Sequence, residues 1–105
     1  MSLGGGHYEI EQVERLARAG KVVATRRVAQ WLSNHGYDVR ETLVEVLTSL
    51  EVRGSFTGSC VLKNDETADE YLVRLPEDDW YLKFWVDTDQ LVVDVWSCCW
   101  DGAVH

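Results

Sequence analysis

The chain has 105 residues, enough for one domain with a modest core, and its 46% hydrophobic content excludes a disordered polymer. No apolar run approaches the ~20 residues that cross a bilayer, and three cysteines without framework spacing point to reduced thiols in a cytoplasm rather than to disulfides. The net charge of −8 is unevenly placed: residues 1–50 carry six acids and six bases, and residues 51–105 carry twelve acids and four bases. The second half therefore repels nucleic acid at long range and attracts a basic partner protein.

Met1-Ser-Leu-Gly-Gly-Gly has neither the basic start nor the apolar stretch of a secretory leader, and residues 1–6 are expected to be a flexible terminus, in part extraneous. The first helix follows, with Ile10, Val13, Leu16 and Ala17 as its apolar stripe. Glu11–Arg15 and Glu14–Arg18 are i,i+4 pairs expected on its wet side, and Gly20 is its terminator. Thr25 is placed to cap a second helix whose inward residues are Val28, Ala29, Trp31 and Leu32; His35-Gly36 ends it. Asp38-Val-Arg-Glu41 has the form of a capping box and opens a third helix with Leu43, Val46, Leu47 and Leu50 inward.

The second half reads as strands. Ser55–Leu62 and Glu70–Leu75 flank the turn-like Lys63-Asn-Asp-Glu66, and Pro76-Glu-Asp-Asp79 breaks the second strand. Trp80–Val86 and Leu91–Trp96 are then the arms of a β-hairpin around Asp87-Thr-Asp-Gln. With residues 87–90 as the loop, Val86 faces Leu91, Lys83 faces Asp94 and Tyr81 faces Trp96. Alternation puts Leu82, Phe84, Val86, Leu91, Val93 and Val95 on an apolar core face. Tyr81, Lys83, Trp85, Val92, Asp94 and Trp96 fall on the other face, where function is sought. The expected class is α+β: three N-terminal helices, then an antiparallel sheet of about four strands. It forms one domain over residues 7–100, with 101–105 a second flexible end.

Several local sequences, in this order, resemble the MqsR family of bacterial toxin–antitoxin systems. They are His7-Tyr-Glu-Ile-Glu-Gln-Val-Glu-Arg-Leu-Ala-Arg-Ala-Gly-Lys-Val22, Thr25-Arg26, Gly36-Tyr-Asp38, and Tyr81-Leu-Lys83 with its hairpin. The resemblance spans roughly residues 7–96 and rests on order and spacing. It implies a RelE-like fold and a metal-independent endoribonuclease that cleaves messenger RNA and is neutralised by a cognate antitoxin. Of the family's catalytic set it carries over Tyr81, with Lys83 beside it. The family's lysine after the third helix falls near Ser55-Phe56-Thr57, and its glutamine near Ala68-Asp69-Glu70-Tyr71, where neither residue type is present. Its late lysine falls near Trp96.

RNA cleavage without a metal uses the substrate's 2′-OH as nucleophile, so the protein must take one proton, give another and stabilise the phosphoryl charge. Tyr81 is the candidate acid and Lys83 the candidate phosphate contact. Asp94, Glu70 and His35 are candidate bases, and Arg74, Trp85 and Trp96 are candidate substrate contacts, the indoles by stacking on bases. The competing view of the same face is structural: a Lys–Asp cross-strand pair flanked by aromatics, or a contact surface for a protein partner. His7, His35 and His105 fit surface or terminal positions better than catalytic ones.

No cofactor or metal is expected. Adjacent Cys98-Cys99 cannot easily reach one tetrahedral ion even with His105 nearby, and Asp87-Thr-Asp89 lacks the glycine and glutamate of a calcium loop. Two other functions stay open. One is a family relative without chemistry that binds a basic protein. The other is a winged-helix DNA-binding domain in which Arg26, Arg27 and Arg40 face phosphate.

Overall fold

The computed structural model describes residues 6–100. Residues 1–5 and 101–105 lie outside that range. The elements in chain order are α1 (Ile10–Arg18), β1 (Val22–Ala24), α2 (Arg26–Asn34), α3 (Val39–Thr48), α4 (Leu50–Arg53), β2 (Gly54–Val61), β3 (Thr67–Arg74), β4 (Asp79–Asp87) and β5 (Val92–Trp100).

Local chemistry sets the helix ends. Gly20 (φ 76°) and Gly36 (φ 82°) occupy left-handed conformations that a β-carbon would strain. The Thr25 hydroxyl accepts from Val28 N–H at 3.3 Å, and the Asp38 carboxylate from Glu41 N–H at 2.9 Å, each quenching an N-terminal amide that has no partner within its helix. The third helix does not run unbroken to Leu50. It stops at Thr48, and Leu50 opens the separate turn α4. Glu14 is not on a wet face either. It is buried, bridges Arg18 at 3.1 Å, and takes the Glu51 N–H at 2.9 Å, so one carboxylate ties α1 to the start of α4.

The sheet has five strands in the order β1-β5-β4-β3-β2. Strands β2 to β5 form an antiparallel meander as expected. The short β1 adds a fifth strand, parallel to β5, with Val22, Val23 and Ala24 opposite Val93, Asp94 and Val95; the sheet is therefore mixed. Val13 and Ala17 of α1, Val28 and Leu32 of α2, and Leu43, Val46 and Leu47 of α3 are buried in one cluster with Tyr71, Val73, Leu82, Phe84, Val86, Val93 and Val95. The helices thus cover the apolar face of the hairpin. Trp80 and Trp100, opposite each other at the hairpin's open end, join this side: Trp31 meets Trp80 edge-on at 6.3 Å and Trp100 at 5.3 Å between ring centroids.

The hairpin register differs from expectation in two places. Asp87 belongs to β4, and its carboxylate accepts the Asp89 and Gln90 amides at 3.0 and 3.1 Å. That Asx-type turn moves the loop to residues 88–91 and places Leu91 at the tip, exposed, with φ 55°. Val86 therefore pairs with Val93, and Trp85, not Lys83, with Asp94. Further along, Phe84 pairs with Val95 but Lys83 with Ser97, which leaves Trp96 as the extra residue of a bulge; Tyr81 then faces Cys99, not Trp96.

The segment before α1 is tied to the sheet. Asp69 on β3 is fully buried, and its carboxylate accepts His7 N–H at 2.9 Å, Tyr8 N–H at 2.8 Å and the Ser59 hydroxyl at 3.0 Å. Gly6 lies so close that a β-carbon there would collide with this carboxylate. Tyr8 continues the anchor by donating its hydroxyl to Thr67 O. Asp69→Ala leaves three donors without an acceptor and is expected to lower unfolding free energy by about 3 kcal/mol, with Asp69→Asn intermediate. Urea unfolding checks this, and an alanine variant within about 0.5 kcal/mol of the parent contradicts it.

Candidate functional site

The face of the sheet opposite the apolar cluster holds the candidate site residues of β3, β4 and β5. Along β3 it presents Glu70, Leu72 and Arg74. Along β4 it presents Tyr81, Lys83 and Trp85, and along β5 Asp94 with the bulged Trp96. Cross-strand register sets Glu70 opposite Lys83, Leu72 opposite Tyr81, and Arg74 opposite Asp79. Tyr81 and Arg74 are exposed, while Lys83, Trp85 and Asp94 are half-buried.

Lys83 finds its anion on β3, not β5. Its ammonium stands 3.9 Å from a Glu70 carboxylate oxygen, both side chains about one-third exposed. A pair at this distance and exposure contributes about 0–1 kcal/mol, so an incoming anion can compete for the lysine. Cys60, diagonal to Glu70 on β2, completes the row; burial and a hydrogen bond with Glu70 raise its thiol pKa, and it is a poor nucleophile at neutral pH.

Asp94 is held differently. Trp85 Nε1 donates to it at 3.1 Å. Partial burial pushes its carboxyl pKa up, opposed by the hydrogen bond from Trp85. The Trp85 indole holds Asp94, and the shifted register removes it from the lysine it was expected to neutralise.

A groove of about 350 Å³ brings Arg27 and Trp31 of α2 together with Lys83, Trp96 and Ser97. It passes the part of β5 that extends beyond its pairing with β1. Arg27 is the site residue that sequence pattern alone did not assign here. In the sequence it reads as one of several basic residues near a helix start, and only the tertiary packing of α2 beside β5 puts it near Lys83.

His35 does not join this face. Its ring stacks on Trp31 at 4.1 Å, and Nδ1 lies 2.8 Å from Trp31 O, at the end of α2. His7 packs edge-on against Tyr8. Cys98 and Cys99 are buried free thiols with raised pKa values, Cys98 the more strongly. Among the described residues no three His, Cys, Asp or Glu side chains are grouped to hold a metal ion; His105 is outside them. No helix among the described residues is long and apolar enough to cross a membrane.

A scan against protein-family models gives no match, and a search of curated proteins finds no significant relative.

The raised Asp94 pKa fixes a sign. The folded state holds this proton to higher pH than the unfolded chain, so stability falls as pH rises from the ordinary aspartate range through the folded value. Asp94→Asn keeps an acceptor for Trp85 and removes the charge. It is expected to raise Tm at pH 7, with the gain shrinking as the buffer is taken down towards pH 4, near the ordinary aspartate pKa. Equal Tm differences at both pH values would contradict this.

Proposed function

We propose that the chain is an MqsR-like toxin–antitoxin component acting in the cytoplasm as a metal-independent endoribonuclease on messenger RNA, with a rearranged site. The observation that carries this reading is the convergence of Tyr81, Lys83, Glu70 and Arg74 on one open sheet face, next to the groove of Arg27 and Trp96. In this scheme Glu70 takes the proton of the 2′-OH, the freed oxygen attacks the adjacent phosphorus, and Tyr81 gives its proton to the departing 5′-oxygen. Lys83, released from Glu70 by the phosphate, and Arg27 balance the charge that builds on the phosphoryl oxygens. Trp96 and Trp85 are the stacking surfaces, and Arg74 contacts the backbone further along the strand. A cognate antitoxin would cover this face.

A second reading, a partner-binding module without chemistry, draws on the same geometry. Lys83 on the open face is already paired at 3.9 Å, and the Trp85 indole is engaged with Asp94. A winged-helix reading would need the β4–β5 hairpin as its wing, and β4 is instead the central strand of the five-stranded sheet.

Induced expression with transcript 5′ ends mapped over time separates the two readings. The nuclease reading expects new 5′ ends and arrested growth. It also expects a loss of about 10²-fold in cleavage rate for Tyr81→Phe and for Glu70→Gln. Intact messages and normal growth at high protein level exclude it in favour of the binding module.

A further inference from the structure

Strand β2 ends the sheet, and among the described residues β3 is its single strand partner. A strand with one neighbour presents a row of unpaired N–H and C=O groups on its other side, a template for one more strand. Sheets blunt such an edge with charge, proline, shortness, a bulge or a covering element. β2 has one of these devices, the bulge at Thr57. It runs for eight residues, Gly54–Val61, without a charged residue or a proline, and none of the eight is buried.

The other strands differ. β1, at the opposite edge, is three residues long and offers little to pair with. β3, β4 and β5 all carry charged residues. Among the described residues β2 is thus the only strand longer than three residues that has no charge, and it lies where a further strand can reach it.

Charge selects the occupant. Each copy carries −8, so two copies repel unless they meet where charge is absent. A basic partner protein gains nothing from an uncharged strand. A two-fold axis joins β2 to its own copy in the antiparallel sense and crosses the two ends. Arg53 and Asp65 lie equally far from Ser59 in sequence, so an axis at Ser59 brings the Arg53 end of each copy to the Asp65-Glu66 turn of the other. All three side chains are exposed, and none forms an ion pair among the described residues.

We propose that two copies of the chain pair antiparallel along β2, so that one sheet runs through both molecules. Main-chain hydrogen bonds carry the contact, and Val61, 71% exposed in the single chain, is covered by it. One strand pair is at the small end of stable interfaces, so the dimer exchanges with monomer at micromolar concentration or above. The pairing holds whether or not the open sheet face cleaves RNA.

Sedimentation velocity on the full chain over about 10 to 1,000 µM is expected to show a monomer–dimer equilibrium. Raising NaCl from about 0.05 to about 0.5 M should strengthen it severalfold, because like net charges oppose the approach. Val61→Glu, at an exposed position that the fold does not need, should weaken it about fivefold by setting like charges across the new strand pair. Val23→Glu adds the same charge at the opposite edge, where Val23 is 47% exposed, and should leave it within about twofold. Amide hydrogen exchange should slow with protein concentration in β2 and not in β1. A chain that stays monomeric across the range overturns the proposal. So does a dimer that salt weakens, that Val23→Glu breaks as readily as Val61→Glu, or whose newly protected amides lie outside β2.

Discussion

Everything in this molecule hangs on β4, the central strand, whose side chains alternate between two incompatible environments. Leu82, Phe84 and Val86 must be roofed by helices, and Tyr81, Lys83 and Trp85 must not be. Period-two alternation allows no compromise: slipping by one residue would bury an ammonium and expose a phenylalanine. The helices α1, α2 and α3 are therefore committed to one side, and they leave the other side uncovered. The Asp69 carboxylate locks the arrangement at β3, where it draws the chain before α1 down onto the sheet through two backbone amides.

The same arithmetic explains what the sequence makes legible. The hairpin register lies two residues from the simple count, and a slip of two preserves which face every side chain occupies. Face membership of Tyr81, Lys83, Trp85 and Asp94 is thus readable without a structure, but the partners are not. Lys83 exchanges an expected aspartate on β5 for Glu70 on β3, because Asp87 uses its carboxylate to pull the turn one residue later. Beyond Trp96 the bulge inserts an odd residue and parity itself changes, which no alternation pattern in β5 announces. Helix ends were readable because Thr25, Asp38, Gly20 and Gly36 act within three residues of themselves. β1 was not, since Val22-Val23-Ala24 is too short to show alternation and its partner lies some seventy positions away. Asp69 was opaque for the same reason. An aspartate inside a strand reads as solvent-facing until its distant amide donors are known.

Electrostatics sets the terms on which the open face can work. A lysine ion-paired to Glu70 is not a strong phosphate site, and an acidic chain does not gather RNA from a distance. Yet the pair is loose enough to exchange. Separating Glu70 from Lys83 yields a carboxylate able to accept a proton and an ammonium able to hold a phosphate oxygen, both beside Tyr81. The groove adds Arg27, so the cationic character of the site is assembled from α2 and β4 rather than concentrated in one segment.

Charge is also sorted along the sheet. Arg74 ends β3 on the open face, and the next four residues, Leu75–Asp78, turn to line an acidic cavity before Trp80 and Tyr81 diverge to opposite sides of β4. One short connection therefore separates Arg74 on the open face from the exposed carboxylates of Glu77 and Asp78. Because Trp80 and Tyr81 take opposite sides of β4, the acidic turn meets the helix side of the sheet and the phenol meets the open side, so the charge of the turn does not lie among the polar side chains of the open face.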